Sequence, residues 1–454
     1  KAIVVDGEHG EVTVAHPREF ARVSMEARES LYRDSYAQRL FQYGTASDID
    51  LYNDLHVMPS YNFQRSHVED AQAAQGLSGT SWSTKQMYLK GRRGCSGCPI
   101  CCHPYTEVDS GPYAGTRSSG PHFTTVLGFG PRCGNSSIEL VCKLNELCNE
   151  AGLDVNSAAA VIAWLMESYE KGLIGDRELD GVKPEWGDDH AMIELLHRIV
   201  RREGLGDLLA DGTRAAAQRL GGDSYQWTLE GKGLEITGIE LRGAYAWALS
   251  FAVASRGADH LMASPMAEQG GSPETAELIR KIAGDEKYIG GTILEKRAEI
   301  IRWHEDMYAV DDALGLCTFT SHVALGTDEE KAALLFEHAT GIEMTPRQLM
   351  ESGRRIVTLE RCFNMREGLD RKDDSLPWRI LNEHQPDLED LDLEMLGGAT
   401  LPQERLDAML DEYYRLHEWD VESGRPTEAA LRELGLEFVA GCFGRGPRAD
   451  LWSR

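Results

Sequence analysis

The chain has 454 residues, 42% of them hydrophobic and 27% charged, the balance of a globular protein and not of a disordered or fibrous one. Lys plus Arg number 47 against 74 Asp plus Glu, and the formal net charge of −27 repels nucleic acid and anionic membrane surfaces. The longest apolar run, Ala158–Met166, is far short of the ~20 residues of a membrane span.

In chain order, the sequence opens KAIVVDGEHG, with no Met and no signal-peptide pattern, and Ala2–Val5 reads as a strand met part-way. The chain is therefore expected to be the later part of a longer protein or a processed fragment. Pro17–Leu40 has helical periodicity, with Pro17 suited to a first turn. Tyr52–Arg65, polar and aromatic-rich, reads as loop. Asp109–Gly134, rich in Gly, Ser and Pro, is long for a plain connection, and such segments often carry function. Ser136–Glu150 places Ile138, Leu140, Val141, Leu144 and Leu147 at helical spacing, and Gly152 suits its C-terminal turn. Asn156 or Ser157 can cap the next helix, Ser157–Gly172.

Further helices are predicted near Asp188–Arg202, Pro273–Ala283, Ile293–Tyr308, Thr327–His338, Pro346–Arg361 and Gln403–His417. Strand-like runs are few, Tyr225–Leu229 and Leu234–Ile236. The fold class expected is mainly α, multihelical, with Gly221–Gly233 as the boundary between two helical domains. One internal echo links the prospective halves. Asn149–Asp154 (NEAGLD) and Asp312–Cys317 (DALGLC) share a Gly-Leu step at the end of a helix. Gly is frequent enough at helix C-termini to account for the echo by itself.

The most informative segment is Gly94–His103, GCSGCPICCH. It holds Cys95, Cys98, Cys101 and Cys102 of the chain's 10 cysteines. Such crowding without a secretory pattern suits a reducing, cytoplasmic setting and metal ligation better than a disulfide framework. Cys-x-x-Cys lets two thiolates bind one centre, and iron–sulfur clusters take closely spaced cysteines with one more from a distance. Gly97 permits the turn and Pro99 stiffens it. Zinc is a rival, although no second knuckle exists to pair with the first. A redox dithiol is another, although it needs a thioredoxin-like setting. The third ligand is Cys101 or Cys102, and Cys317, on a loop after a helix, is the best candidate for a fourth. Cys133, Cys142, Cys148, Cys362 and Cys442 read as core thiols.

In order along the chain, Tyr52–Gln64 (YNDLHVMPSYNFQ), the Cys run, Asn145–Asp154, Ser255–Leu261 (SRGADHL), Asp311–Cys317, Glu360–Pro377 and Leu410–Asp420 (LDEYYRLHEWD) resemble the signatures of the aldehyde ferredoxin oxidoreductase family. These are tungsten enzymes with a bis-pterin cofactor and one [4Fe-4S] cluster. The resemblance covers the family's helical second and third domains. It implies residues 1–15 as a residual strand of an N-terminal β domain, 16–230 as a helical domain with the Cys run and first pterin loop, and 231–454 as a second with the other loop and the distal Cys. It also implies that a separate chain supplies the β domain, or that the chain is truncated.

The resemblance implies Cys95, Cys98, Cys102 and Cys317 as cluster ligands. It implies pterin contacts from Asn149, Gly152, Leu153 and Asp154 in one loop and from Asp312, Gly315 and Leu316 in the other. A carboxylate can accept two N–H groups of a pterin edge in a charge-assisted pair, and glycine leaves room for a flat ring. His260 matches a histidine of the family's substrate pocket and could donate to a carbonyl or move a proton. Two departures stand out. Ser119–Thr125 reads SGPHFTT where the family carries acidic residues, so His122 takes the central place, and Asn149 replaces the usual Asp. The function implied is oxidation of an aldehyde to a carboxylic acid, or the reverse, by tungsten or molybdenum, with electrons passed to ferredoxin or an electron-transfer subunit and a homo-oligomer possible. The alternatives are a benzoyl-CoA-reductase-like reduction of an aromatic thioester and a non-catalytic iron–sulfur scaffold subunit.

Overall fold

Helical spacing dominates the sequence, and the computed structural model is built of helices packed around one large apolar cluster and several smaller ones. It describes residues 12–84, 88–175, 179, 181–266, 273–290, 293–321, 323, 326–389 and 398–442. The predicted strand Ala2–Val5 lies outside these residues, as does the side chain of Cys442.

The first helical stretch is two helices, Pro17–Arg33 and Ser35–Tyr43. The break falls at Asp34, whose extended backbone and side chain cap the second helix through the amide of Ala37 at 2.6 Å. Ile138–Ala151 is capped by Ser137 and ends at Gly152 in the left-handed conformation, φ 68°. The next helix, Val155–Glu170, starts earlier than expected, and its cap is Asp154, not Asn156 or Ser157. Asp154 accepts from the Ser157 amide at 2.7 Å, while the side chains of Asn156 and Ser157 turn inward to the backbone carbonyl and carboxylate of Glu235.

The helices Asp189–Arg201, Pro273–Ala283, Arg297–Leu314, Glu329–Thr340, Pro346–Arg366 and Gln403–Leu416 answer the remaining predictions. Tyr245–Val253 was not anticipated, because it is apolar on every side and buried along almost its whole length, which erases the amphipathic signal. Tyr225–Leu229, expected as a strand, is instead the end of a 3-10 turn, Gly222–Trp227, which sinks Trp227 into the core. A minimal ribbon follows, β4 (Glu230–Gly231) against β5 (Leu234–Glu235). Sequence reasoning also passed over a three-stranded antiparallel sheet, β1 (Leu89–Arg93), β2 (His103–Glu107) and β3 (Arg117–Ser119). Its strands are short, half exposed and poor in the apolar alternation that marks strands.

The largest apolar cluster runs from Ala46 to Trp419 and draws on both sides of the 221–233 stretch. The helix Val155–Glu170 passes through it with Trp164 fully buried. Near its end, Glu167 receives two hydrogen bonds from Arg379 and one from Asn62 at 2.8 Å. Asn62 belongs to the bend Tyr61–Asn62–Phe63, three consecutive residues at φ 47°, 52° and 67°. Non-glycine residues adopt that region only at a cost of roughly 1–2 kcal/mol each. The bend is held by amide bonds from Tyr61 to the Pro131 carbonyl and from Asn62 to that of Arg132, and by Arg379 on the Asn62 carbonyl at 2.7 Å. Among the described residues no helix is long and apolar enough to cross a membrane.

Candidate active site

The Cys run is the loop that joins β1 to β2. Gly97, at φ 74°, makes the turn that lets the Cys98 amide bond the Cys95 carbonyl at 3.0 Å. Cys101 departs from its neighbours. Its backbone is left-handed at φ 50°, and its thiol turns back to the Cys98 carbonyl at 3.5 Å. A Cβ on Gly94 would lie 2.7 Å from that sulfur, so glycine is required there. Cys98 and Cys102 pack instead beside Leu31, Leu40, Ile100, Tyr36 and Phe319.

Cys317 comes to the same place from the far half of the chain, on the turn after Arg297–Leu314. The Thr320 amide bonds the Cys317 carbonyl at 2.7 Å and closes that turn. Burial pushes the Cys102 thiol up to about 11, and the thiols of Cys317, Cys98 and Cys95 act on it in the same direction. Cys317 is likewise raised, first by burial and then by Cys98 and Cys95. Cys95, Cys98, Cys102 and Cys317 are thus within electrostatic reach of one another, and negative charge on one disfavours it on the next. Among the described residues no three His, Cys, Asp or Glu side chains group around a single metal ion. Cys133, Cys142, Cys148 and Cys362 are buried, as expected.

A cavity of about 300 Å³ opens beside the four thiols. Tyr36 and Phe319 form its wall on that side, since each lines the cavity and also packs in the small cluster that holds Cys98 and Cys102. Both predicted histidines, His122 and His260, line it, with Tyr52, Phe123 and Trp247 supplying aromatic surface. His122 sits just before the helix Phe123–Phe129. Its Nε2 meets Nδ1 of His103 at 2.8 Å, and His103 Nε2 in turn meets the Ser119 hydroxyl at 2.5 Å. Burial, then the neighbouring His103, holds His122 down to about 4, so the ring is neutral at pH 7. His260 Nδ1 faces the Thr237 hydroxyl at 3.2 Å. Burial lowers its pKa against the opposing pull of Asp259.

The two Gly-Leu loops are built alike. Gly152 and Gly315 end their helices at φ 68°, ψ 32° and φ 70°, ψ 28°. In each, the Gly amide bonds the residue three before it at 3.4 Å and the Leu amide the residue five before it at 2.9 Å. Nothing lies within 4 Å of a Cβ built on either glycine, so the space beside both corners is open. Asp154 and Cys317 then occupy the same position, each the cap of the following turn. Asn149 reaches the Ser119 carbonyl at 3.4 Å. Asp312 lines a second cavity of about 210 Å³, which shares Leu261 and Tyr308 with the first. Leu153 packs against the main core and Leu316 against the cluster around Met307 and Val310.

Sequence reasoning missed three polar residues of this region. His103 was passed over because it reads as the tail of the Cys run. Tyr36 and Asp48 sit in unremarkable helical sequence, with no motif to mark them. The structure brings both to the first cavity, where Tyr36 donates to Asp48 at 3.0 Å.

Comparison with known proteins gives the class of this helical frame and its histidine-lined cavity. Residues 22–436 match the family model described as aldehyde ferredoxin oxidoreductase, domains 2 & 3. The tungsten-containing aldehyde ferredoxin oxidoreductase of Pyrococcus abyssi is 32% identical over 442 residues, covering 96% of this chain and 67% of that protein. The aliphatic sulfonate oxidoreductase WOR-like subunit of Pyrococcus furiosus is 28% identical over 352 residues, covering 75% of this chain and 49% of that protein. Among solved structures, the BamBC active site complex of benzoyl coenzyme A reductase with 1,5-dienoyl-CoA superposes with a TM-score of 0.73 at 22% identity. That match covers 94% of this chain and 66% of the other, and at that identity the likeness is one of fold. The chain belongs to the aldehyde ferredoxin oxidoreductase family, a family of oxidoreductases, and spans about two thirds of the length of its tungsten-containing relative.

Proposed function

We propose that this chain is the helical part of a tungsten- or molybdenum-dependent oxidoreductase that interconverts an aldehyde and its carboxylic acid. Cys95, Cys98, Cys102 and Cys317 would hold a [4Fe-4S] cluster that passes single electrons to ferredoxin or an electron-transfer subunit. The observation that carries the reading is the arrival of Cys317, from 215 residues beyond Cys102, beside the three thiols of the β1–β2 loop, at the wall of a cavity lined by His122 and His260.

The donor set suits a cluster. Four thiols are the usual ligand set of such a group. Cys101 has its own partner inside the loop, which supports Cys102 as the third ligand. The paired corners at Gly152 and Gly315 suit two flat pterins, one from 16–230 and one from 231–454, with Asn149, Leu153, Asp154, Asp312 and Leu316 about them. Asp154 spends one oxygen on the Ser157 amide and keeps the other, while Asp312 faces open space. When bound, a metal bis-pterin supplies two-electron oxidation. The chain's own part is to orient the carbonyl and manage protons. His260, neutral and tied to Thr237 at Nδ1, can offer Nε2 to a carbonyl oxygen. His122, fixed by His103, offers a neutral ring where a carboxylate would place charge.

Metal analysis of protein purified without oxygen tests the reading. Iron together with tungsten or molybdenum is expected. Iron without either turns the chain into an electron-transfer scaffold, and zinc alone removes both readings. Cys317→Ser should abolish the cluster's visible absorbance and Cys101→Ser should keep it; the reverse would overturn the ligand set.

A further inference from the structure

Converting an aldehyde to an acid adds one oxygen, and water is its source. A water attacking the carbonyl carbon has to lose a proton as the new bond forms, so the cavity needs an acceptor. Both ring nitrogens of His122 face partners, His103 and, at 3.5 Å, the Thr45 hydroxyl. Ser119–Thr125 contains no carboxylate. Among the described residues that line the cavity, one does carry a carboxylate, Asp48.

Asp48 opens the short helix Asp48–Asp54 and is 7% exposed. Each oxygen has one donor. Arg39 Nη2 lies 2.6 Å from Oδ1, and the Tyr36 hydroxyl donates to Oδ2 at 3.0 Å. Tyr36 and Arg39 are three apart on the helix Ser35–Tyr43, so they share a face, and the guanidinium lies 4.9 Å from the centre of the tyrosine ring. The break at Asp34 starts a new helix here and sets that face toward Asp48. Burial raises the Asp48 pKa, against Arg39 and Tyr36, which lower it; burial also lifts Tyr36 well above its ordinary value. The tyrosine hydroxyl, on the cavity and 3.0 Å from Oδ2, gives a direct hydrogen-bonded path for a proton from the cavity to the carboxylate.

We propose that Tyr36 and Asp48 form the proton relay that drives addition of water to the substrate carbonyl, with Tyr36 touching the water and Asp48 positioned behind it. This rests on the reading of the cavity as an aldehyde site. As the water oxygen bonds to the carbonyl carbon, the π pair of the C=O bond moves to its oxygen. The water's proton passes to Tyr36 Oη while the proton of Tyr36 passes to Asp48 Oδ2. The same proton equivalent returns through Tyr36 to the new alkoxide. The product is the geminal diol, and no electron leaves the pair of reactants in this step. Arg39, 2.6 Å from Oδ1, pairs with Asp48 and leaves Oδ2 to the tyrosine.

Hydration alone needs no oxidant, so the relay is measurable without turnover of the redox centre. The full chain, with no electron acceptor, is incubated with acetaldehyde, hexanal or benzaldehyde in water labelled with heavy oxygen, and mass spectrometry follows label entering the carbonyl. The wild-type chain should accelerate exchange of at least one aldehyde above buffer. Tyr36→Phe, which keeps the ring, and Asp48→Asn should each lower the maximal exchange rate by about 100-fold. The half-saturating aldehyde concentration should hold, as a purely structural role would not allow. If Asp48→Asn fails to fold, Tyr36→Phe decides. Exchange by wild type no faster than buffer for all three aldehydes, or by Tyr36→Phe as fast as wild type, overturns the relay. Exchange without aldehyde oxidation by metal-loaded protein keeps the relay and removes the oxidase reading; oxidation without exchange does the opposite.

Discussion

His122 stands in a place where a negative charge was to be expected, and its surroundings keep it uncharged. Because its folded-state pKa, about 4, lies below the ordinary value of 6.5, the unfolded chain takes up a proton that the folded chain refuses. The stability it contributes is full above pH 6.5 and is lost as pH falls through about 4. Over that window the loss is about 3 kcal/mol. His122→Gln should flatten this part of the stability curve, measured by urea unfolding at a series of pH values. At this scale, residues with a repeated or crowded pattern were legible. His260 and His122 were singled out and do face one cavity. Tyr36, Asp48 and His103 were not, because each depends on a meeting across a chain break or a sheet that no spacing encodes.

Elements were legible where amphipathic spacing was strong. Sequence alone located the helices that end at Gly152 and Gly315, and their matching corners give the internal echo a common backbone form. It failed for the fully buried Tyr245–Val253 and for β1, β2 and β3, where neither period is visible. A property of helix pairing was equally hidden. Glu305, on Arg297–Leu314, faces Tyr413 and His417 of Gln403–Leu416 and the turn after it. Arg302 and Asp306 flank it on its own helix, and Glu360, Arg354 and Arg361 approach from Pro346–Arg366. Burial raises Glu305 to about 8 and drives His417 well below its ordinary value, so the contact at 2.7 Å is a neutral acid beside a neutral ring. The stability Glu305 contributes is full below 4.5 and is lost as pH rises through about 8. Glu305→Gln keeps the shape and cannot ionise. Its melting temperature should fall less than that of the wild type on passing to alkaline pH, as calorimetry would record.

For the molecule as a whole, the helical class and the order of motifs were legible, and the large apolar centre that draws on both sides of 221–233 was not. Periodicity reports which face of a helix is buried, not which partner buries it. The polar lock inside that centre joins Asn62, Glu167 and Arg379, with Arg379 and Glu167 at 1% and 0% exposure. Arg379→Ala would leave the buried Glu167 carboxylate with Lys171, at 3.5 Å, as its remaining cation, at a cost of about 3 kcal/mol. Chemical denaturation should show that loss as one cooperative transition at lower denaturant, and Glu167→Gln with Arg379→Met should recover much of it.

The left-handed bend at Tyr61–Asn62–Phe63 is closed by a guanidinium 317 positions further along. While the polypeptide is still on the ribosome, the bend and its partners Pro131 and Arg132 have emerged long before residue 379, and the guanidinium that closes it is still missing. The nascent chain must then carry apolar surface that is not yet sealed, the condition under which chains aggregate or engage chaperones. Production of this protein in a foreign host should therefore be limited by the wait for the segment around Arg379 rather than by the strength of the finished fold.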